Sequence, residues 1–222
     1  MLIGDEQLKQ LARRGYEYAR TLGNISRIGM FSEGCTVGDM TNLAIRLSEA
    51  GVGDYWDDVD LYVRNQLTEI QVRDPERLKA TGFSEGHLGN VLDHAITPTG
   101  WSHNRCFCCD WNVKSAYYHA WDSIVRAQGD HAWINLLLNR ASPWLDIDSH
   151  LPYEGKVVIH NKSARRISAR LPGRVDRGSV KVTISDQPVN KRPVEVPPLG
   201  NWLLLTNVLP RQTITLSLPV KE

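Results

Sequence analysis

Apolar residues recur along this chain with two different periods, and the change from one to the other divides it. From residue 5 to about 128 they return every third or fourth position: Leu8, Leu11, Ala12 and Tyr16, then Leu43, Ala44 and Leu47, then Val59, Tyr62, Val63 and Leu67. That spacing places them on one face of a helix and predicts helices for each segment. Thr36 is the expected N-cap of the second helix, Gly51 and Gly53 its terminators, and Asp54 the cap of the third. A fourth helix is predicted over residues 84–95 and a long fifth over residues 110–128, with ITPTGWSHNR as the loop between them. Short connections make these helices antiparallel neighbours.

Beyond Gly129 the period falls to two. INLLLN, WLDIDS, KVVIHN, RISARLP, SVKVTIS, NWLLLTN and TITLSLP are separated by Pro, Gly and Asn, which predicts short strands and an antiparallel β-sandwich. QPVNKRPVEVPP reads as an irregular crossover. The expected fold class is therefore α+β multidomain, with a helical domain over 1–128 and a β-sandwich over 129–222. No repeat or low-complexity segment interrupts either part.

Composition narrows the chemistry. With 26 basic and 25 acidic residues among 222, the chain has no field that would gather nucleic acid or an anionic bilayer. No apolar run approaches the roughly 18 residues of a membrane span, and MLIGDEQLKQ lacks the basic start and apolar core of an export signal. No nucleic-acid or membrane partner is expected, and the expected compartment is the cytoplasm.

The cysteines change the picture most. Three of the four lie in CFCCDWN and the fourth is Cys35. Adjacent Cys108 and Cys109 bridge each other only under strain, and a cytoplasmic chain keeps its thiols reduced. Isolated cysteines usually serve as small buried hydrophobes. Clustered thiols also suit a borderline cation such as zinc, which closes a tetrahedral site with four ligands. Glu33 stands two residues before Cys35 and, on extended backbone, faces the same point. The candidate metal set is Glu33, Cys35, Cys108 and Cys109.

E-x-C before one helix, Cys-Cys followed by Asn at the head of a later one, and a β-sandwich after both resemble glycoside hydrolase family 127, the β-L-arabinofuranosidases. YWDDVDLYVRN is similar to the family segment ending ERALYN, and LPYEGKVVIHN and ARLPGRVDRGSVKV are similar to its YPWEGxV and RIPGW strands. The family's CCPPN reads CCDWN here, so Asn112 is kept while Asp110 and Trp111 replace two prolines. The resemblance implies an (α/α)6 barrel, only partly present, followed by the β-sandwich. It also implies a zinc ion on Glu33, Cys35, Cys108 and Cys109, with Cys108 as the nucleophile toward the anomeric carbon. Asp60 takes the place of a substrate-binding glutamate. The family's general acid lies sixteen residues before the E-x-C glutamate, and 33 − 16 = 17, which is Glu17; within RRGYEYART a solvated helix carboxylate is the competing reading. Trp101 and Trp111, beside the cysteines, and His103 are candidate sugar contacts, with core tryptophans and a surface-loop histidine as the competing readings.

A retaining glycosidase needs a nucleophile and a general acid on opposite sides of the sugar carbon. The implied activity is retaining hydrolysis of β-L-arabinofuranosides or related sugars. About five predicted helices precede residue 129 where a barrel needs twelve, so little activity is expected from this chain alone. The missing half of the barrel, or a second copy, is an expected partner beside the carbohydrate substrate. Two other classes compete: a non-catalytic carbohydrate-binding or scaffold relative stabilised by zinc, and a metal-free helical-plus-β domain.

Overall fold

The computed structural model describes residues 4–22, 34–71, 73–80, 88–89, 91, 107–185, 191–194 and 198–219. The chain divides into two compact units, Met1–Ala120 and Trp121–Glu222.

The first unit is helical. Helix α1 (Glu6–Leu22) starts where Asp5 accepts hydrogen bonds from the backbone N–H of Gln7 (2.8 Å) and Leu8 (3.3 Å), two donors that have no partner inside the helix. Helix α2 (Gly34–Glu49) begins two residues before the expected cap, so Thr36 lies within its first turn. Its end matches the reading. Gly51 takes φ 69°, which a side chain would resist, and Val52 N–H returns to Leu47 O at 3.0 Å. Helix α3 (Trp56–Leu61) runs on through a π-helical stretch (Tyr62–Leu67) and a last turn (Thr68–Ile70). Asp54 accepts from Trp56 N–H at 3.4 Å, near the cap position predicted for it. Helix α4 is Pro75–Ala80 and α5 is Phe107–Ser123. Tyr16, Val37, Ala44, Ile45, Leu47, Val59, Tyr62, Leu67, Ile70, Val113 and Ala116 fill this core.

Two helical expectations are corrected. Within residues 84–95, Leu88 and Gly89 form a turn and Val91 bridges Gln71, and the other residues there lie outside those described. Gly89, at φ 84°, supplies the break. Residues 125–128 are not the end of α5. They form strand β1 (Val125–Gln128), joined by the two-residue turn Gly129–Asp130 to β2 (His131–Ile134). Gly129 has φ 59°, a conformation that tight hairpins demand, so the local cue was present in the sequence.

The second unit contains two sheets. One is ordered β1-β2-β6-β10-β9 and the other β3-β4-β5-β11-β7-β8. The remaining strands are β3 (Arg140–Ala141), β4 (Leu145–Ser149), β5 (Lys156–Asn161), β6 (Arg166–Arg170), β7 (Lys181–Ser185), β8 (Lys191–Val194), β9 (Pro198–Leu199), β10 (Trp202–Leu205) and β11 (Thr213–Ser217). Alternate residues are buried in β5, β10 and β11, namely Val157 and Ile159, Leu203 and Leu205, Ile214 and Leu216, whereas β6 buries Ile167 to Arg170 in a row. The α+β class holds, with one amendment: β2 and β6 pair in parallel, so the first sheet is mixed.

INLLLN is not a strand beyond Ile134. Asn135 turns aside, donating from its backbone to Ile124 O and from Nδ2 to Ser123 O, both at 2.9 Å, which satisfies carbonyls at the end of α5. Leu136 and Leu137 are then buried consecutively, which breaks the alternation. Within the expected crossover, KRPV forms β8, which among the described residues pairs with β7 alone. Pro193 is tolerated there because β8 is an edge strand.

Candidate functional site

Cys35 is half-buried in the first turn of α2, and Cys108 and Cys109 belong to the first turn of α5. Both thiol-bearing segments therefore sit at helix N-termini, where unpaired N–H groups and the helix dipole favour negative charge. One contact brings the two helices together. A Cβ on Gly38, one turn beyond Cys35, would lie 2.9 Å from the backbone C and O of Asn112, one turn beyond Cys108. Only glycine permits that approach. Asp110 adds a tie by accepting from Val91 N–H at 3.1 Å while pairing with Lys114 at 2.6 Å.

Glu33, Trp101 and His103 lie outside the described residues, as do the side chains of Cys108 and Cys109. Among the described residues, no three His, Cys, Asp or Glu side chains form a group able to hold a metal. The backbones of the two cysteine-bearing helix starts meet within one turn of Cys35 and of Cys108.

The remaining candidates are placed as follows. Trp111 is 78% exposed. Asp60 is buried and paired with Arg64, Oδ1 to Nε at 2.8 Å, one helical turn away. Glu17 has both carboxylate oxygens engaged: Tyr55 Oη donates to one at 2.7 Å and Arg20 Nη1 to the other at 3.0 Å. These contacts, that from Tyr55 foremost, hold its carboxyl below the usual carboxylate range. Glu17 is thus ionised and hydrogen-bonded, where a general acid must carry a proton.

Around Glu17 lies a polar network that the sequence reading missed. Asp58 is its hub. The Asp58 carboxylate accepts from Tyr16 Oη at 2.6 Å and from Arg20 Nη2 at 3.0 Å, and Arg20 Nε approaches it at 2.8 Å as a charge contact without hydrogen-bond alignment. With its own proton given to Asp58, Tyr16 Oη accepts from Tyr62 Oη at 3.1 Å, and the Tyr16 ring meets Tyr55 edge to face at 4.6 Å. Burial, then neighbouring Tyr62 and Asp58, pushes the Tyr16 phenol well above its usual range. The signal was two i,i+4 pairs, Tyr16 with Arg20 and Asp58 with Tyr62, each setting a hydroxyl beside a charge on one helix face.

No family profile and no curated protein sequence matches the chain. Solved structures do share its fold. They include a GH127 β-L-arabinofuranosidase from Geobacillus stearothermophilus T6 (TM-score 0.50, 13% identity, 86% of this chain and 32% of that one). A second is a GH127 β-arabinofuranosidase (TM-score 0.56, 12% identity, 84% of this chain and 32% of that one). A third is described as a glycoside hydrolase (TM-score 0.57, 16% identity, with the same coverages of 84% and 32%). The chain is thus similar in fold to GH127 enzymes and spans about a third of their length.

Proposed function

We propose that this chain is a glycoside hydrolase-like protein whose chemistry centres on the thiols at the heads of α2 and α5. The approach of Gly38 to Asn112 carries the reading, because it joins the only two cysteine-bearing segments of the sequence. Glu33, Cys35, Cys108 and Cys109 would hold zinc, which when bound keeps thiols deprotonated and fixes their direction. Cys108 Sγ then forms a bond to the anomeric carbon as the bond to the leaving oxygen breaks, that oxygen taking a proton from an acid. Water later displaces the sulfur as thiolate, giving its proton back to the group that served as acid, with overall retention. Asp60, His103 and Trp111 are the proposed sugar contacts, and the substrates are β-L-arabinofuranosides or related sugars. Because the chain spans about a third of the enzymes that share its fold, we expect little turnover until further helices complete the pocket.

One observation favours a second reading, a non-catalytic carbohydrate-binding or scaffold relative: Glu17, the expected acid, is ionised and occupied at both oxygens. Elemental analysis of protein prepared without chelator tests the shared part of both readings. Close to one zinc per chain is expected, lost in Cys35→Ser and Cys109→Ser, and a content near zero would remove both. A thiol-trapping sugar analogue separates the two, since only the hydrolytic reading expects covalent label on Cys108.

A further inference from the structure

Helix α1 presents an apolar stripe that nothing within this chain covers among the described residues. Leu8, Leu11, Tyr18 and Leu22 are 49%, 57%, 68% and 71% exposed, and with Gly15 they follow one another at steps of three, four, three and four. That is the spacing of a helix–helix seam. The opposite side of α1 is already committed, through Tyr16, Glu17 and Arg20, to the Asp58 network.

Gly15 is the second observation. It lies mid-helix, where glycine is the poorest residue after proline, yet a Cβ there would meet nothing within 4 Å. Packing within the chain does not require it. A glycine at the centre of an exposed seam does serve a second backbone passing close by, as Gly38 does inside the chain for α5.

We propose that this stripe docks a second copy of the chain, the two α1 helices crossing antiparallel at Gly15. The stripe is self-complementary about that residue. Under a two-fold axis through Gly15, Leu8 faces Leu22 of the partner subunit, and Leu11 faces Tyr18 and Ala19 of the partner subunit, each contact occurring twice, as an isologous interface requires. Four largely exposed apolar side chains from each copy remove on the order of 1,000 Å² from water, the lower edge of stable interfaces. The association should be micromolar.

Analytical ultracentrifugation of the 222-residue chain across a micromolar range tests this. A monomer–dimer equilibrium is expected. Leu11→Glu and Gly15→Leu should each weaken dimerisation at least tenfold, while circular dichroism shows unchanged helix content, since both side chains point into open space. Gly15→Cys should join two copies by a disulfide. Leu8→Cys should do so only when mixed with Leu22→Cys, which fixes the antiparallel sense. A chain that stays monomeric, including one whose α1 is covered only when a different helical chain is added, overturns the proposal. So does a dimer that survives Leu11→Glu, or one that Leu8→Cys links to itself.

Discussion

Along β5 and β11, every inward residue is apolar except the terminal Asn161, and Val157, Ile159, Ile214 and Leu216 pair across a continuous backbone ladder. Along α1, seventeen residues bury one side chain, Tyr16, and it is bound by its hydroxyl. The β unit closes its interior with shape and area, which are non-directional and shared among many residues. The edge of the helical unit closes with a few directional bonds focused on Asp58. Damage should therefore be graded in the first and concentrated in the second.

The largest effect should come from Ile159→Ala, which removes a buried side chain from the central ladder and costs about 4 kcal/mol. Segment-resolved hydrogen exchange should show protection lost across both sheets, with α2 and α3 unchanged. If α2 lost protection equally, the two units would be one cooperative body. Asp58→Ala should cost about 2 kcal/mol, because Tyr16 and Arg20 lose their acceptor together. The loss should appear as exchange in α1 alone; an effect confined to α3 would break the account of the hub. Trp121→Leu should cost about 1 kcal/mol within the β unit, since the Arg140 guanidinium lies 3.2 Å from the indole centroid.

Acid should separate the units by the smallest effects. His131, half-buried between Trp133 and Ser168, is held below its ordinary value of 6.5 by burial and then by Arg166. The unfolded chain takes that proton first, so the contribution is complete above pH 6.5 and declines as pH falls below it. Glu17 is depressed from 4.5, so its contribution is complete above about pH 4.5 and is lost as pH falls through its lower folded value. Exchange in β2 should quicken first on acidification, and α1 only below pH 4.5. The reverse order would assign the wrong group to each unit.

The β-strands were legible wherever alternation was uninterrupted: β4, β5, β6, β7, β10 and β11 fall within the stretches predicted for them. The reading failed where a polar residue redirected the chain, as Asn135 does at the end of α5, and where Gly129 turned an apparent helix end into a hairpin. In the site, the clustering of thiols and the family resemblance drew attention to both cysteine segments, whose helices approach each other at Gly38 and Asn112. The Asp58 network was legible only as two separate i,i+4 pairs, because its tyrosines read as apolar in a periodicity and no spacing announces that Arg20 and Asp58 meet.

The π-helical stretch Tyr62–Leu67 carries a last consequence. A π turn lodges one residue more than an α turn would, so everything after it is rotated in phase relative to what precedes it. Gln66, Leu67 and Ile70 are buried along this stretch and just after it, and Leu67 O accepts the hydroxyl of Tyr117 from α5. Counting residues across this helix against a straight-helix relative goes out of step by one after Tyr62. Asp60 lies before the slip and Leu67 after it, so an alignment of this chain should open a single-residue gap between them. Deleting Asn65 should have the same effect in the molecule, returning the helix to regular phase and leaving Tyr117 without its acceptor.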